Sequence, residues 1–320
     1  ANLSSVDGDA RWRLIHFIAP AAEATTDPAI CVRQAIGRDI PFELIRALTW
    51  SGHRVVAKRF GRGRVFLVGD SAHLLWPRGG FGMNTGVGDA VDLAWKLEGT
   101  LAGWGGAALL ESYEIERKPV ATRNVNEAAS NRAEDVALPM PPFLEADDED
   151  GRAARMALAD IIREKRSKEW NTFGIQLGYS YDPSPIVCDD GTPPLVAGPS
   201  DYVPGTRPGA RAPHAWLSPQ HSLLDLFGRG FRLVCFGGGE GEGLLRVAQS
   251  RGLPLSTVRI DDAAAAKLYE RRLVLVRPDG HVAWRGDTAP DDPVAIVDTV
   301  RGAAGPQTAR SLAATSVETV

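Results

Sequence analysis

Residues 64–96, RVFLVGDSAHLLWPRGGFGMNTGVGDAVDLAWK, contain the pattern that decides the fold. The apolar run Val65–Val68 predicts a short buried strand. The run ends at Gly69 and Asp70, which places a carboxylate at the carboxyl end of the strand. Open α/β sheets bind their ligands at this end, so the position of Asp70 predicts a ligand site.

A glycine-rich turn follows, with Gly79, Gly80 and Gly82, and a helix is predicted to open at Met83 and Asn84. Glycines let a backbone approach a ligand closely. The free N–H groups at the amino end of a helix can bind a ligand atom that carries partial negative charge. Strand, carboxylate, glycine turn and helix start together favour a site for a large polar cofactor.

This stretch resembles the second FAD-binding motif of the flavin-dependent aromatic hydroxylases, the family of p-hydroxybenzoate hydroxylase and the polyketide and phenol hydroxylases. The family pattern is GD-x-AH, then P-x-GG-x-GMN-x-G, then D-A-x-x-LAWK. The residues that match are Gly69-Asp70, Ala72-His73, Pro77, Gly79-Gly80, Gly82-Met83-Asn84, Gly86, Asp89-Ala90 and Leu93-Ala94-Trp95-Lys96.

The resemblance implies a monooxygenase that uses FAD, NAD(P)H and O₂ to hydroxylate an aromatic or polyketide phenol. Asp70 would bind ribityl or sugar-side hydroxyls of FAD, and Pro77 would lie on the loop between flavin and substrate. The other residues assigned to the cofactor are Gly69, Gly80, Gly82, Met83 and Asn84. Because the flavin carries the hard chemistry, no metal is expected.

The role of His73 has two interpretations: a general base, or a histidine that hydrogen-bonds the neighbouring loop, which the residues favour. His73 and Pro77 are the candidate catalytic residues. Trp76 could line an aromatic pocket or pack its loop. Trp50, His53 and Trp76 are the candidate substrate residues. His16 has no ligand-spaced partner, so a metal role for it is disfavoured.

The predicted fold class is α/β, with part of a p-hydroxybenzoate hydroxylase-like flavin and substrate fold followed by a thioredoxin-like domain. Residues 1–58 are assigned to the remainder of a substrate-binding sheet, and 59–195 to the carboxyl-terminal part of the FAD-binding domain with its long helices. Residues 196–320 are assigned to the thioredoxin-like domain, which contains no CxxC.

Two long helices are predicted in the middle region, over 107–137 and 151–170. Pro119 predicts a kink or a break in the first of them. That helix is expected to carry a charged outer face formed by Glu111, Glu114, Glu116, Arg117, Lys118 and Arg123.

Regular alternation in the last third predicts a strand–helix–strand–helix–hairpin–helix order. The segments are strand 231–236, helix 241–252, strand 255–260, helix 262–270, strand 272–277, strand 281–285 and helix 291–303. The glycine-rich run 236–243 invites a dinucleotide interpretation, but Glu240 and Glu242 would repel a pyrophosphate, so a tight strand-to-helix turn is favoured.

The family's amino-terminal GxGxxG unit and its DG motif do not occur in this sequence. We therefore expect the carboxyl-terminal portion of a longer hydroxylase or one half of a split one. A partner would be an amino-terminal FAD-binding half or a second copy. The alternative function is a catalytically silent fragment or assembly module.

Composition agrees with a globular protein of two or more domains. Of 320 residues, 44% are hydrophobic and 24% charged, and the net charge is −4 without long single-sign runs. This balance argues against a nucleic-acid partner or a polybasic membrane anchor. The three cysteines, Cys31, Cys188 and Cys235, form no CxxC or metal spacing, which predicts buried thiols in a reduced cytoplasmic protein.

Overall fold

The computed structural model describes residues 1–18, 26–194, 198–238 and 240–304. Two compact units divide the chain, residues 1–52 and residues 53–320. Each unit is described by itself.

The first unit contains a hairpin of two strands, β1 (Asn2–Ser5) and β2 (Trp12–Ile15), and one helix, α1 (Pro28–Ile36). The Asp27 side chain accepts a hydrogen bond from the Ala29 N–H, and Pro28 occupies the first helical turn, where its missing N–H costs nothing.

The second unit begins with short strands and continues with long helices. Its first elements are β3 (Val55–Val56), β4 (Gly61–Arg62), β5 (Val65–Phe66), β6 (His73–Leu74), α2 (Phe81–Leu101), α3 (Ala107–Val136), α4 (Glu149–Trp170) and α5 (Phe173–Gln176). Strand β3 pairs with β6, and β4 pairs with β5, both antiparallel.

The predicted buried strand over Val65–Val68 is wrong in extent and burial. The strand covers only β5, and Val65 is 68% exposed. Leu67 instead donates its N–H to Phe60, and the chain then enters a 3₁₀ turn over Gly69–Ser71. Apolar residues alone could not show that the partner strand is two residues long.

Helices α2 and α3 pack together and carry the core beside the short strands. This core includes Phe60, Leu93, Tyr113 and Ala121. The Tyr113 hydroxyl donates to the Leu67 carbonyl at 2.7 Å, which links α3 to the segment after β5. The core and this bond hold the loop before α2 against both helices.

Helix α3 runs through Pro119 without a break, so of the predicted kink or break only the kink remains a prediction. The predicted charged outer face is wrong for two residues, since Glu116 is 2% and Arg117 is 1% exposed. Their partners lie far along the chain, which the helical pattern of α3 could not indicate.

The last third forms a four-stranded sheet with three helices. Its elements are β7 (Trp216–Ser218), β8 (His221–Ser222), β9 (Phe231–Phe236), α6 (Glu242–Ser250), β10 (Leu255–Ile260), α7 (Ala263–Tyr269), β11 (Leu273–Val276), β12 (Val282–Gly286) and α8 (Pro293–Val300). The sheet order is β10-β9-β11-β12, with β9 and β10 parallel and the other pairs antiparallel.

The order of elements predicted for this region is confirmed. All four residues of β11 are buried, as a central strand covered on both faces requires. Burying one such side chain stabilises the fold by roughly 1.5–3 kcal/mol. The glycine-rich run after β9 makes a turn in which Gly237 and Gly238 have positive φ before α6 begins; Gly239 lies outside the described residues.

Over the described residues, no helix has both the length and the apolar character needed to cross a membrane, and no three His, Cys, Asp or Glu side chains are grouped to hold a metal ion. The three cysteines are free and buried. Burial raises the pKa of the Cys188 thiol to about 12, so this thiol stays protonated and unreactive near neutral pH.

Candidate functional site

A tight turn places the Asp70 carboxylate after β5. Gly69 has φ +58°, a left-handed conformation that glycine adopts without steric cost. The Ser71 hydroxyl accepts from the Val68 N–H at 3.0 Å and donates to the Val68 carbonyl at 2.7 Å. Ala72 closes the turn by donating to the Gly69 carbonyl at 2.8 Å. The turn is therefore fixed by its own hydrogen bonds.

Asp70 is exposed, and within the described part of the chain its carboxylate has no hydrogen-bond or ion-pair partner. The other carboxylate of this region, Asp89, is buried and fully engaged. An ionised carboxylate accepts several hydrogen bonds and donates none. Asp70 is thus available to accept from hydroxyl groups.

Helix α2 begins beside this turn with an amino end that no side chain caps. Gly80, in the left-handed region at φ 69°, precedes the helix, and Asn84 donates its side-chain N–H to the Gly80 carbonyl at 2.7 Å. Met83 is 78% exposed. The first backbone N–H groups of a helix lack partners within it, so this end favours a ligand oxygen with negative charge.

Packing of two glycines brings the Asp70 turn onto α2. A Cβ on Gly86 would lie 3.1 Å from the Gly69 Cα atom, so the backbones meet where both residues lack side chains. The Gly69 N–H also donates to Asp89 Oδ2 at 3.1 Å. These contacts place Asp70 beside the first turns of α2.

Helix α4 holds the glycine loop from the other side. The Gly79 N–H donates to Glu169 Oε1 at 3.3 Å. Arg166 forms ion pairs with Glu169 and Asp135, and Arg78 in the loop also pairs with Asp135. The loop that leads into α2 is therefore tied to the ends of two long helices.

Asp89 is the centre of a buried network beneath the turn. His73, 1% exposed, has its Nε2 atom 2.7 Å from Asp89 Oδ2, and Arg117 Nε donates to Asp89 Oδ1 at 2.8 Å. Arg117 also donates to the Thr85 carbonyl and the Tyr181 hydroxyl, each at 3.1 Å. Burial alone would raise the pKa of Asp89, but the hydrogen bond from His73 and the charge of Arg117 lower it, so Asp89 is ionised.

A second buried network joins α2 and α3 to the carboxyl-terminal sheet. Arg277 donates to Glu116 at 2.6 and 2.8 Å, to Asp92 at 3.1 Å and to Asp279 at 2.6 Å. Lys96 donates to Asp92 at 2.7 Å and to Glu116 at 2.5 Å. The Arg277 and Lys96 charges lower the pKa of Glu116 to about 2 against the effect of burial, whereas burial raises the pKa of Asp92 well above its usual value.

The structure brings all six predicted cofactor residues together near the amino end of α2. These are Gly69, Asp70, Gly80, Gly82, Met83 and Asn84. Pro77 is exposed on the same loop. Trp76 is half-buried, and the Arg132 guanidinium lies 5.3 Å from its ring centre. Trp76 and Pro77 lie on the loop that leads into the helix.

His53 and Trp50 are the remaining predicted substrate residues. His53 is exposed and lies two residues before Val55, which pairs with Leu74, itself two residues before Trp76. Trp50 is 64% exposed and belongs to the first unit.

Sequence reasoning missed the buried charges Arg117, Lys96, Glu116 and Arg277. One signal was present: Asp92 and Lys96 are four residues apart on a helix whose neighbouring positions, Leu93 and Trp95, are buried. The distant partners left no local signal.

Two family models match parts of the chain. A family model described as "FAD binding domain" matches residues 24–128, and one described as "Aromatic-ring hydroxylase, C-terminal" matches residues 205–306. The first range contains the Asp70 turn and α2, and the second contains the four-stranded sheet.

Individual relatives match most of the chain. A 4-methyl-5-nitrocatechol 5-monooxygenase from Burkholderia sp is 36% identical over 88% of this chain and 51% of its own length. The tetracenomycin B2 monooxygenase-dioxygenase of Streptomyces olivaceus is 35% identical over 91% of this chain and 53% of its own. The solved structure of the rebeccamycin biosynthetic enzyme RebC with reduced flavin has a TM-score of 0.80 and 46% identity, covering 88% of this chain and 53% of that one. The chain spans about half the length of these relatives.

Proposed function

The chain belongs to the FAD-dependent aromatic-ring hydroxylases, and from this membership we propose that it forms part of a monooxygenase acting on an aromatic or polyketide phenol. NAD(P)H and O₂ are the proposed co-substrates. The observation that carries the proposal is the unpartnered Asp70 carboxylate beside the uncapped amino end of α2.

The residues present fit FAD. Its ribityl chain carries hydroxyl donors, which suit the exposed carboxylate of Asp70. Its ring system carries carbonyl oxygens and ring nitrogens, which suit the free N–H groups around Gly82, Met83 and Asn84. Gly80 leaves open space at the start of the helix, where a Cβ would meet no protein atom within 4 Å. When bound, FAD supplies the transfer of electrons from NAD(P)H to O₂.

We propose that His73 acts through Asp89 as a positioning residue. Its Nε2 atom faces Asp89, and the ring is buried below the turn rather than on the exposed surface. The catalytic roles predicted for His73 and Pro77 remain predictions. Trp76, His53 and Trp50 are proposed to contact the aromatic substrate, with Trp76 best placed because its loop leads into α2.

We also propose the domain assignment predicted from the sequence. Residues 59–195 would hold the cofactor side, residues 1–58 the substrate side, and residues 196–320 a thioredoxin-like domain with a structural or oligomer-forming role. The topology of β9–β12 supports that last assignment. A reduced cytoplasmic location is proposed from the three free cysteines.

Flavin binding tests the site directly. FAD, FMN and ADP are titrated into the 320-residue chain, and flavin fluorescence or calorimetry gives the dissociation constants. Because the proposed contacts are to the ribityl chain and ring system, we expect FMN to bind about as tightly as FAD, with no binding of ADP. Asp70→Asn should weaken FAD and FMN binding about 10- to 100-fold, since hydrogen bonds to a charged acceptor contribute about 1.5–3 kcal/mol.

The matched control is Asp147→Asn, which changes an exposed carboxylate on the loop before α4. It should bind flavin like the wild type. Equal flavin affinity for Asp70→Asn and wild type would remove the proposed cofactor role of Asp70. The same samples are then assayed for NAD(P)H oxidation stimulated by phenolic substrates. Turnover would rule out the catalytically silent module, and bound flavin without turnover on any substrate would contradict the proposed activity of this chain.

A further inference from the structure

Two buried arginines hold α2 from its inner side. Arg117, on α3, reaches Asp89 and the Thr85 carbonyl, and Arg277, which follows β11 in the carboxyl-terminal domain, reaches Asp92. Arg117 and Arg277 are each 1% exposed. Asp89 and Asp92 lie three residues apart, so the two arginines hold neighbouring positions on one face of the helix.

All three guanidinium nitrogens of Arg277 donate hydrogen bonds to carboxylates. Two of its nitrogens form a bidentate contact with Glu116 at 2.6 and 2.8 Å, and further bonds go to Asp92 and Asp279. Its guanidinium lies 5.0 Å from the ring centres of both Trp95 and Tyr181. Charge-assisted bidentate contacts fix geometry as well as contribute energy.

The face of α2 held in this way also determines the geometry of the cofactor turn. Asp89 Oδ2 accepts from the Gly69 N–H at 3.1 Å and lies 2.7 Å from His73. A rotation or a shift of α2 along its axis would move this carboxylate away from Gly69, the residue before Asp70. Tyr181 lies between the two arginines, accepting from Arg117 at 3.1 Å and stacking beside Arg277.

We propose that Arg277 is a positioning residue for the cofactor turn. By holding α2 through Asp92, and α3 through Glu116, which also accepts from Lys96 of α2, it keeps Asp89 on the Gly69 N–H. The carboxyl-terminal domain thereby sets the geometry of Asp70 without touching the ligand. The proposed effect of Arg277 on the geometry of the turn depends only on the contacts described above. Its proposed effect on flavin affinity rests on the proposed function.

A purely structural role for Arg277 predicts a different result, and Arg285 provides the matched control. Arg285 is 7% exposed, follows Arg277 in the same domain, and donates at 2.6 Å to both Asp190 and Glu270. Its described partners do not include α2 or α3. Arg277→Met and Arg285→Met therefore both remove a buried paired arginine from the domain, but only the first releases α2.

Hydrogen–deuterium exchange on the ligand-free chain measures the turn itself. The peptide covering residues 67–75 contains the Gly69 N–H and should exchange at least about tenfold faster in Arg277→Met than in wild type, because local opening governs exchange. The same peptide in Arg285→Met should exchange at the wild-type rate. Unchanged exchange of this peptide in Arg277→Met, or equal acceleration in both variants, would overturn the proposal.

Arg277→Lys covers the case in which Arg277→Met does not fold. Lysine keeps the charge but cannot form the bidentate contact, so this variant should still accelerate exchange over residues 67–75. FMN affinity is then measured on the folded variants, with an expected loss of about tenfold for the Arg277 variant and none for Arg285→Met. Absence of FMN binding to wild type would contradict the proposed function alone, since the exchange result stands without any flavin.

Discussion

Gly82 and Gly88 both lie on α2 but have different surroundings. A Cβ on Gly82 would lie 3.9 Å from its nearest neighbour, Leu75, which is an ordinary contact. A Cβ on Gly88 would lie 2.7 Å from Arg117 Nη2 and 3.2 Å from its Cζ atom. Because Arg117 is buried and bonded to Asp89, its guanidinium cannot swing into water to make room. Gly88 is therefore required by the arginine, whereas Gly82 is not required by any protein neighbour.

Gly88→Ala should lower the free energy of unfolding by about 1–3 kcal/mol, because the displaced guanidinium loses charge-assisted hydrogen bonds. This loss is expected to outweigh the helix-propensity gain of about 1 kcal/mol that alanine brings. Gly82→Ala, with the same propensity gain and an ordinary contact, should be neutral or stabilising by up to about 1 kcal/mol. Urea denaturation of both variants measures this difference. An increase in stability for Gly88→Ala would show that Arg117 can relocate at no cost.

At this scale, the sequence predicts the exposed Asp70 carboxylate better than it predicts which buried side chains contact each other. The position of Asp70 after an apolar run and before a glycine turn indicates an exposed carboxylate, because ligand and turn are both local features. Glu116 looks like part of a solvated face because its partner Arg277 is 161 residues away. Local periodicity describes one helix, and the burial of a charge depends on what covers that helix.

The helices and strands themselves follow from local sequence where the pattern is long. Helices α3 and α4 and all strands of the carboxyl-terminal sheet begin within two residues of the predicted positions. Helix α2 begins at Phe81, two residues before the predicted start. The short strand β5 was overextended because four apolar residues do not distinguish a strand from a strand followed by a turn. At Pro119 the sequence allows a kink or a break, and the helix continues.

The continuity of α3 through Pro119 leads to a prediction at the level of the helix. Pro119 is exposed, and it removes the N–H that would otherwise donate to the Ile115 carbonyl. Two contacts hold the helix just before Pro119: Lys118 Nζ donates to the Lys58 carbonyl at 2.6 Å, and Glu114 accepts from the Phe60 N–H at 2.8 Å. The helix therefore keeps its shape by tertiary contacts at a local cost.

Pro119→Ala should raise the free energy of unfolding by about 1–3 kcal/mol, since alanine restores the hydrogen bond and favours the helix. Pro293→Ala is the control, because Pro293 occupies the first turn of α8, where a missing N–H has no intrahelical partner in any case. The control should change stability by less than about 0.5 kcal/mol. Thermal or urea unfolding gives both values. A loss of stability in Pro119→Ala would mean that proline shapes the helix for its contacts with residues 58–60.

At the scale of the whole molecule, the long helices and the carboxyl-terminal sheet are joined by a buried cluster of charged side chains. Apolar side chains could also fill such an interface. Arg277, Lys96, Asp92, Glu116 and Asp279 are buried together between the long helices and the sheet. Such clusters add little stability over apolar packing but are costly to break, so they select one arrangement of the two parts. This specificity suits a domain whose proposed task is to fix the helix that carries the cofactor turn.

His281 makes this interface sensitive to pH. It is buried beside the cluster, 3.5 Å from Asp279, with its ring 4.2 Å from the Tyr181 ring, and neither ring nitrogen has a hydrogen-bond partner in the described structure. Burial lowers the pKa of His281 in the folded state, although the charge of Asp279 opposes this shift. A lowered histidine pKa means that the folded state binds fewer protons than the unfolded state. The resulting stability is complete above the unfolded pKa of about 6.5 and is lost as pH falls through the folded pKa.

His281→Gln should therefore reduce the loss of unfolding free energy between pH 7 and pH 5 relative to wild type. His221→Gln, which changes an exposed histidine on β8, should keep the wild-type pH dependence. Glu116, with its pKa near 2, loses its contribution only at much lower pH, so it does not obscure this window. Asp92, whose pKa is raised, acts in the opposite direction in every variant and cancels in the comparison. Parallel pH profiles for wild type and His281→Gln would show that His281 is not the group that titrates, and urea unfolding at several pH values decides the matter.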